Sequence, residues 1–408
     1  MSIWRVPYPK FGAGPGLERV QTIAEALGLD IARFGVSDAV IVGSNGKGST
    51  AAMAAALLQQ ASAPVGLFTS PHLFDLNERF RIDGEDISDA ELDHHWRRVA
   101  DAAARVGEAE NLGGFEFLFL IAADWFTARR CAHVVWEAGI GGRLDPVRLI
   151  QARRLALTSL DLEHTYLLGE TLEEIARDKL DAAPMGARVF VSESCAAQRE
   201  AIEAHCAERG VNVTFVAEHD ARGVEALSLR GAFQARNAAL AWRAAADIVG
   251  LSDDKARAGF AAIRWPGRME ILSADPLVVI DVGHTPAGVR AVREAFTEMA
   301  GDAEALLVCG ASSDKDAGAL IGALAPGFST IICAAARHKG EAPARIAAYA
   351  RAANAEAEIV VSDSVSDARA TALARARGRP IFVAGGLFLA AEFRAVHLGR
   401  DPASLAFF

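Results

Sequence analysis

The sequence is poor in cysteine and lacks the patterns that cysteine-based sites require. Five cysteines are scattered over 408 residues, their number is odd, and none stands in a Cys-x-x-Cys pair. This distribution argues against a disulfide framework and gives no sign of a zinc site. We expect the cysteines to be small residues of the core.

Long apolar runs and a positive charge balance are also lacking. The first residues have no apolar core typical of a signal peptide, and no run reaches the roughly 18 apolar residues that a membrane span needs. The formal net charge is −10 and no long basic block is present, which argues against nucleic-acid binding. We therefore expect a cytoplasmic monomer that acts on small molecules, without a nucleic-acid or membrane partner.

A glycine-rich loop at residues 43–50 is the most informative motif. A short apolar run, residues 39–42, leads into it, and an alanine-rich stretch that opens with Ser49 follows it. Backbone N–H groups and the positive end of a helix dipole converge on such a turn, Lys47 adds a mobile charge, and the Ser49 hydroxyl suits Mg²⁺. The segment therefore predicts a phosphate cradle for ATP or GTP.

The spacing of this loop differs from the common P-loop. Four residues usually separate the first glycine from the Gly-Lys pair, whereas here only Ser44 and Asn45 do. Taken alone, the loop leaves open a plain strand-to-helix turn with Lys47 in solvent.

Three further apolar runs end in polar residues. Ser70 follows residues 64–68, Glu137 follows residues 132–136, and His164 comes shortly after residues 155–160. The carboxyl ends of parallel strands meet at one edge of a sheet, where α/β proteins bind ligands. Burying Glu137 without a partner would cost several kcal/mol, so it should face a cation such as Mg²⁺. Each residue alone is more often structural, but together they favour a magnesium-nucleotide site.

A stretch rich in proline and glycine, residues 265–270, marks a domain junction. We predict an α/β fold in which residues 1–270 form a P-loop-type ATP-binding domain on a mostly parallel sheet. Residues 271–408 should form a smaller, Rossmann-like C-terminal domain. Its predicted strands are residues 277–280, 306–309 and 381–384.

The chain resembles the folylpolyglutamate synthase branch of the Mur ligase superfamily, whose members are also called dihydrofolate synthases. The resemblance covers nearly the whole chain in order. Its motifs are Gly16-Leu17-Glu18-Arg19, the loop 43–50, Ser70-Pro71-His72-Leu73 with Glu78-Arg79, Phe115-Glu116-Phe117, Glu137 to Asp145, His164 with Leu168-Gly169 and Thr171, Gln234 with Asn237, Pro266-Gly267-Arg268, Asp281 with His284, and Asp314-Lys315-Asp316.

The resemblance implies a nucleotide and metal site. It assigns the ATP phosphates to Asn45, Gly46, Lys47, Gly48, Ser49 and Thr50, and two Mg²⁺ ions to Ser49, Ser70, Glu137 and His164. It also implies that Lys179 is carbamylated and serves as an anion near the second metal. The alternative for Lys179 is a solvated lysine on a helix.

By the same resemblance, Asn237 contacts adenine and Arg268 lies near the phosphates, unless Arg268 forms a salt bridge at the hinge. Asp281 is matched to the ribose or to the hinge, and His284 to a loop that approaches the amino acid or the nucleotide. The residues implied in catalysis are Lys47, His164, Lys179, Arg268 and His284.

The implied reaction is the activation of a carboxylate by ATP. ATP phosphorylates the acid to an acyl phosphate, and an amine attacks it to leave an amide, ADP and phosphate. Positive charge is required because both the γ-phosphate and the attacking carboxylate are anionic. The substrates implied by the resemblance are a folate and glutamate.

Three segments depart from the pattern of the family. Pro146-Val147-Arg148 replaces Ala-Thr-Asn, Leu180-Asp181-Ala182 follows Lys179 in place of Ala-Gly-Ile, and His284-Thr285-Pro286 replaces His-Asn-Pro. These departures leave open a related ligase that joins a different acid and amino acid. A nucleotide-binding scaffold without catalytic activity is the alternative of another class.

Overall fold

The computed structural model describes residues 5–9, 11–14 and 16–407. Within these residues the chain forms two mostly parallel sheets, one of eight strands and one of six. The expectation that the chain lacks a signal peptide rests partly on residues 1–4, which lie outside the described ranges. The alternation of strands and helices confirms the predicted α/β class.

The first sheet has the order β4-β3-β2-β5-β1-β6-β7-β8. Only the pairings of β3 with β2 and β4 are antiparallel among its described strands, and they lie at one edge. The strands are β1 (Ala39–Val42), β2 (Val65–Phe68), β3 (Phe80–Ile82), β4 (Glu85–Asp86), β5 (His133–Glu137), β6 (Arg154–Leu157), β7 (Arg188–Ser192) and β8 (Asn212–Val216).

Both faces of this sheet are buried, which explains its nearly continuous apolar strands. Val40 and Val42 of β1 face one core, and Ala39 and Ile41 face the other. Helices α1, α3 and α4 cover the first face, and α2, α8 and α9 cover the second. The helices of this part are α1 (Leu17–Leu27), α2 (Lys47–Gln59), α3 (Asp89–Arg105), α4 (Gly114–Ala128), α5 (Thr165–Leu168), α6 (Leu172–Leu180), α7 (Arg199–Glu208), α8 (Phe233–Ala246) and α9 (Asp253–Ala262).

The second sheet has the order β13-β12-β11-β14-β10-β9, and only its edge strand β9 is antiparallel among the described strands. Its strands are β9 (Glu270–Ala274), β10 (Leu277–Ile280), β11 (Leu306–Cys309), β12 (Thr330–Cys333), β13 (Glu358–Val361) and β14 (Ile381–Ala384). Its helices are α10 (Pro286–Ala300), α11 (Ala317–Leu324), α12 (Pro343–Ala353), α13 (Val365–Ala376) and α14 (Leu387–His397). The three strands predicted for this domain have the predicted bounds.

One predicted strand is shorter than expected. Strand β6 ends at Leu157 rather than Leu160, because Thr158 and Ser159 leave the sheet to bond the loop that follows β1. The five cysteines are free, and four of them are buried. No helix in the described part of the chain is both long and apolar enough to cross a membrane.

The segment that joins the two sheets is bonded to the second one. The backbone N–H of Gly267 donates to Glu270 Oε2 at 2.7 Å, and Arg394 of α14 donates to both oxygens of Glu270 at 2.9 Å. The backbone N–H of Met269 donates to Asp281 Oδ2 at 3.0 Å. The junction therefore packs as part of the C-terminal domain from Gly267 onward, and the boundary at residue 271 stays a prediction.

Candidate active site

A cavity of about 890 Å³ lies where the carboxyl ends of the two sheets face each other. The loops after β1, β2, β5 and β6 form one wall, and those after β10, β11, β12 and β14 form the other. This is the edge at which open α/β sheets bind ligands. The predicted residues that line it are Asn45, Gly46, Lys47, Gly48, Ser49, Ser70, Glu137, His164, Asn237, Arg268, Asp281 and His284.

The phosphate loop is held in one conformation by its neighbours. The backbone N–H of Asn45 donates to Ser159 Oγ at 2.8 Å, and the Thr158 hydroxyl donates to Asn45 O at 2.6 Å. Gly46 caps α2 at φ +85°, and a Cβ there would lie 2.5 Å from Asn237 Oδ1. Glycine is therefore required for conformation and for space. The N-terminus of α2 is left facing the cavity, a geometry suited to phosphate.

Lys47 is the first residue of α2 and folds back over this loop. Its Nζ donates to Gly43 O at 2.9 Å and to Ser44 O at 3.3 Å. Its charge lowers the pKa of both Glu137 and Glu163 against the effect of burial. Lys47 is therefore half-buried against the loop and does not extend into solvent. Thr50, one turn further, is fully buried and does not line the cavity.

Glu137 ends β5 and is 4% exposed. Its Oε2 accepts a hydrogen bond of 2.9 Å from the backbone N–H of Ser70. Burial raises the pKa of Glu137 above its usual range, although Lys47, Ser70, Arg268 and Arg79 all act in the other direction. A carboxylate in this position would gain from an additional cation.

Lys179 is buried rather than solvated, which overturns the alternative of a solvent-exposed helix lysine. Only 1% of the residue is exposed, and its Nζ donates to Glu163 Oε1 at 2.9 Å. Burial lowers the pKa of Lys179, and Glu163 opposes this effect. Burial alone would raise the pKa of Glu163, but Lys47 and Lys179 bring it down to about 2. Lys179 itself does not line the cavity and reaches it through Glu163.

Sequence reasoning missed the role of Glu163. It stands in the polar loop that follows β6, directly before His164, and this position was the available signal. His164 is the N-cap of α5, has a left-handed conformation at φ +47° and is half-buried on the cavity wall. Its ring meets that of Tyr166 edge to face at 6.2 Å.

Asp145 was also missed, and it fixes the glycine turn after β5. Its carboxylate accepts from the backbone N–H groups of Gly139 at 2.8 Å, Ile140 at 3.1 Å and Val147 at 3.0 Å. Burial raises the pKa of Asp145 to about 7 despite these bonds. In the sequence, Asp145 stands out only as the end of the motif that begins with Glu137, and no role is assigned to it.

The residues of the hinge lie together. Arg268 is half-buried, and burial lowers its pKa while Asp281 and Glu137 oppose this. Asp281 accepts from the backbone N–H groups of Gly283 at 2.7 Å and Met269 at 3.0 Å. Both carboxylate oxygens are thus engaged within the C-terminal domain, which favours the hinge role of Asp281 over ribose binding.

The remaining predicted side chains occupy opposite walls. Asn237 of α8 donates to Gln234 Oε1 at 2.9 Å and lies against Gly46. His284 faces the cavity from the C-terminal domain, with Nδ1 3.4 Å from Val282 O. Other lining groups of that domain, to which the sequence gave no role, are Lys315, His338 and Lys339.

In two of the segments that depart from the family pattern, Arg148 and Thr285 do not line the cavity, although Pro146 does. Arg148 donates to the carbonyl oxygen of Arg143 at 2.9 Å and does not line the cavity. Thr285 caps α10 and accepts from Asn45 Nδ2 at 3.2 Å, across the two domains. Arg148 therefore gives little support for a different acid substrate.

Among the described residues no group of three or more His, Cys, Asp or Glu side chains is placed to hold a metal ion. Among the predicted metal ligands, those that line the cavity with oxygen donors are the Glu137 carboxylate and the hydroxyls of Ser49 and Ser70. These are hard ligands of the kind that Mg²⁺ takes together with substrate phosphates. The residues present fit a metal that enters with a nucleotide.

Comparisons with known proteins agree with this arrangement. Residues 267–387 match the family described as "Mur ligase, glutamate ligase domain". The solved Mycobacterium tuberculosis folylpolyglutamate synthase complexed with ADP is 25% identical, with a TM-score of 0.86 over 96% of each chain. The folylpolyglutamate synthase of Lacticaseibacillus casei is 30% identical over 88% of this chain and 89% of its own length. The chain belongs to the folylpolyglutamate synthase family.

Some members of this family are much longer. A probable bifunctional folylpolyglutamate synthase/dihydropteroate synthase of Halobacterium salinarum is 34% identical over 94% of this chain but only 50% of that protein. The chain thus spans about half the length of such relatives. It contains the two domains that form the cavity.

Proposed function

We propose that the protein is an ATP-dependent ligase that adds glutamate to a folate, with release of ADP and phosphate. The observation that carries this proposal is the position of Glu137. A buried, incompletely compensated carboxylate lies in the same cavity as the phosphate loop and Lys47. Glu137 therefore faces the place where a metal-bound nucleotide fits. Solved relatives hold ADP, or AMPPNP with a Mn ion.

The N-terminus of α2 would bind the ATP phosphates through its backbone N–H groups. Asn45, Gly46, Gly48, Ser49 and Thr50 belong to this segment, and Asn237 beside Gly46 is the proposed adenine contact. Lys47 would leave the carbonyl oxygens of Gly43 and Ser44 to contact the phosphates, because phosphate is the stronger acceptor.

Ser49, Ser70, Glu137 and His164 would hold Mg²⁺ at two sites. Bound there, the metal would screen the negative charge between the γ-phosphate and the substrate carboxylate. Carbamylation of Lys179 would place an anion beside Glu163, so we propose it only together with the second ion. NMR after addition of ¹³C-bicarbonate should then give a carbamate signal that requires Mg²⁺ and is lost in Lys179→Arg.

The opposite wall completes the proposed chemistry. Arg268 would stabilise the charge that develops on the transferred phosphoryl group, and Asp281 would fix the loop that carries Arg268. His284 lies on the wall from which an amine could approach. Closure of the two walls on the bound substrates would keep water from the acyl phosphate.

The test is turnover of the purified chain with ATP, Mg²⁺, glutamate and either dihydropteroate or tetrahydrofolate. ADP release should require all components, and the folate product should gain the mass of one glutamate residue. Release only with another acid or amine would favour the related ligase. Nucleotide binding without turnover of any acid would favour the scaffold. We also propose a cytoplasmic monomer that acts on small molecules, since the net charge of −10 argues against a nucleic-acid partner and the cavity is of a size suited to small molecules.

A further inference from the structure

The last described residues return from the C-terminal domain to the N-terminal one. We call residues 400–407 the strap. Arg400 Nη2 donates to both oxygens of Asp75 at 3.1 Å, and its guanidinium lies 4.7 Å from the centre of the Phe74 ring. The strap is thus anchored on the loop that follows β2.

The far end of the strap contacts His72 in two ways. Ala406 O lies 2.7 Å from His72 Nε2, and the Phe407 ring stacks on the imidazole at 5.7 Å with an angle of 9° between the planes. Phe407 also packs against Phe388 of α14 at 4.8 Å and lines the cavity. His72 therefore lies where the strap meets the active site.

The other nitrogen of His72 is used by an arginine. Arg79 Nε donates to His72 Nδ1 at 3.0 Å, and the two residues are only 4% and 3% exposed. Since Nδ1 accepts, the ring is neutral and its single N–H is at Nε2, directed at Ala406 O. One tautomer satisfies both bonds, and the opposite tautomer satisfies neither.

Arg79 connects this pair to the candidate active site. It lines the cavity, and its charge acts on Glu137. The same loop also supplies the backbone N–H of Ser70 to Glu137 Oε2. Contacts thus run from the strap through His72 to Arg79, and the charge of Arg79 extends the series to Glu137.

We propose that His72 is a positioning residue that couples docking of the strap to the placement of Arg79 beside Glu137. The carbonyl oxygen of Ala406 selects the Nε2–H tautomer, which leaves Nδ1 bare to fix the Arg79 guanidinium. The part of this inference that concerns turnover rests on the proposed ligase function. The structural part does not depend on it.

The structural part is tested by ¹⁵N NMR of histidine-labelled full-length protein, with the His72 signals assigned by their loss in His72→Asn. The wild type should show a protonated Nε2 and a bare Nδ1. A double variant, Arg400→Gln with Phe407→Ala, should show mixed tautomers, whereas the exposed control Arg222→Gln should not. Unchanged His72 signals in the double variant would overturn the coupling.

Turnover measurements distinguish the contributions of the two hydrogen bonds made by the His72 ring. The amide of asparagine can reach the position of Nδ1, and that of glutamine the position of Nε2. His72→Gln should therefore lower kcat about tenfold with little change in the KM for ATP, and His72→Asn should lower it less. The strap substitutions should lower kcat in the wild type but not further in His72→Asn. Equal losses in the two His72 variants would contradict the inference.

Melting temperatures of all variants identify those that fail to fold. If the wild type does not turn over any folate, the proposed function fails while the NMR measurement still decides the coupling.

Discussion

Two acidic residues of the cavity, Glu137 and Glu163, have different surroundings although they flank the same phosphate loop. Strands β5 and β6 lie on either side of β1, and Glu137 ends the first while Glu163 follows the second. Burial raises the pKa of Glu137, whereas Lys47 and Lys179 overcome burial at Glu163 and bring its pKa to about 2. Glu163 has a lysine at 2.9 Å, and Glu137 has the neutral backbone N–H of Ser70. Glu163 is thus paired with a lysine of the protein, whereas Glu137 accepts from a neutral group and would gain from a cation brought by a ligand.

The largest effect on turnover is expected from substitution of Lys47, whose charge acts on both Glu137 and Glu163. Lys47→Ala should lower kcat about a thousandfold, because Lys47 acts on the phosphates and on both carboxylates. ADP release under saturating substrates measures it. Lys255→Ala, on the exposed side of α9, is the matched control and should change nothing. Normal turnover in Lys47→Ala would contradict a role of Lys47 at the phosphates and at the two carboxylates.

Glu137→Gln should separate stability from activity. Because its folded-state pKa is raised, Glu137 stabilises the fold fully only below its unfolded pKa, and this contribution is lost as pH rises through the folded value. The neutral amide should therefore raise the melting temperature of the ligand-free protein at pH 7. It should also lower kcat about a hundredfold by removing a metal ligand. A lower melting temperature would mean that Glu137 is already compensated.

Glu163→Gln should act in the opposite direction on stability. The substitution leaves buried Lys179 without its anion and should cost about 2 kcal/mol at pH 7, measured by urea unfolding. Since the folded-state pKa of Glu163 is depressed, its contribution is present above about pH 4.5 and is lost as pH falls towards 2. The difference in the free energy of unfolding between the wild type and Glu163→Gln should therefore become smaller as pH falls from about 4.5 towards 2. A constant difference would argue against the ion pair.

Much of the fold and the nucleotide side of the cavity could be predicted from the sequence. Apolar runs with abrupt polar ends located β1, β2 and β5, and the same ends gave Ser70 and Glu137. The helix that carries Lys179 begins with a capping box of Thr171 and Glu174, a spacing that is visible in the sequence.

The partners of these residues could not be predicted in the same way. Asp145 and Glu163 act through backbone N–H groups and a lysine that are brought near them only by folding, and such contacts leave no periodic pattern. The sequence likewise did not give the position of Arg148, which belongs to a segment that departs from the family pattern. Its position depends on the short helix at residues 146–150, which directs it to the carbonyl of Arg143.

The hydrogen bonds of the segment that joins the two domains determine with which domain Arg268 moves. Gly267 and Met269 are bonded to Glu270 and Asp281, within the C-terminal domain. Any rotation between the domains must therefore pivot before Gly267 and carry Arg268 with the second sheet. In such a rotation the guanidinium would move relative to Glu137 together with the second sheet, so the arrival of its positive charge would depend on closure. Assembly of the reactive centre would then be timed by a movement of the whole domain rather than by a side-chain rotation.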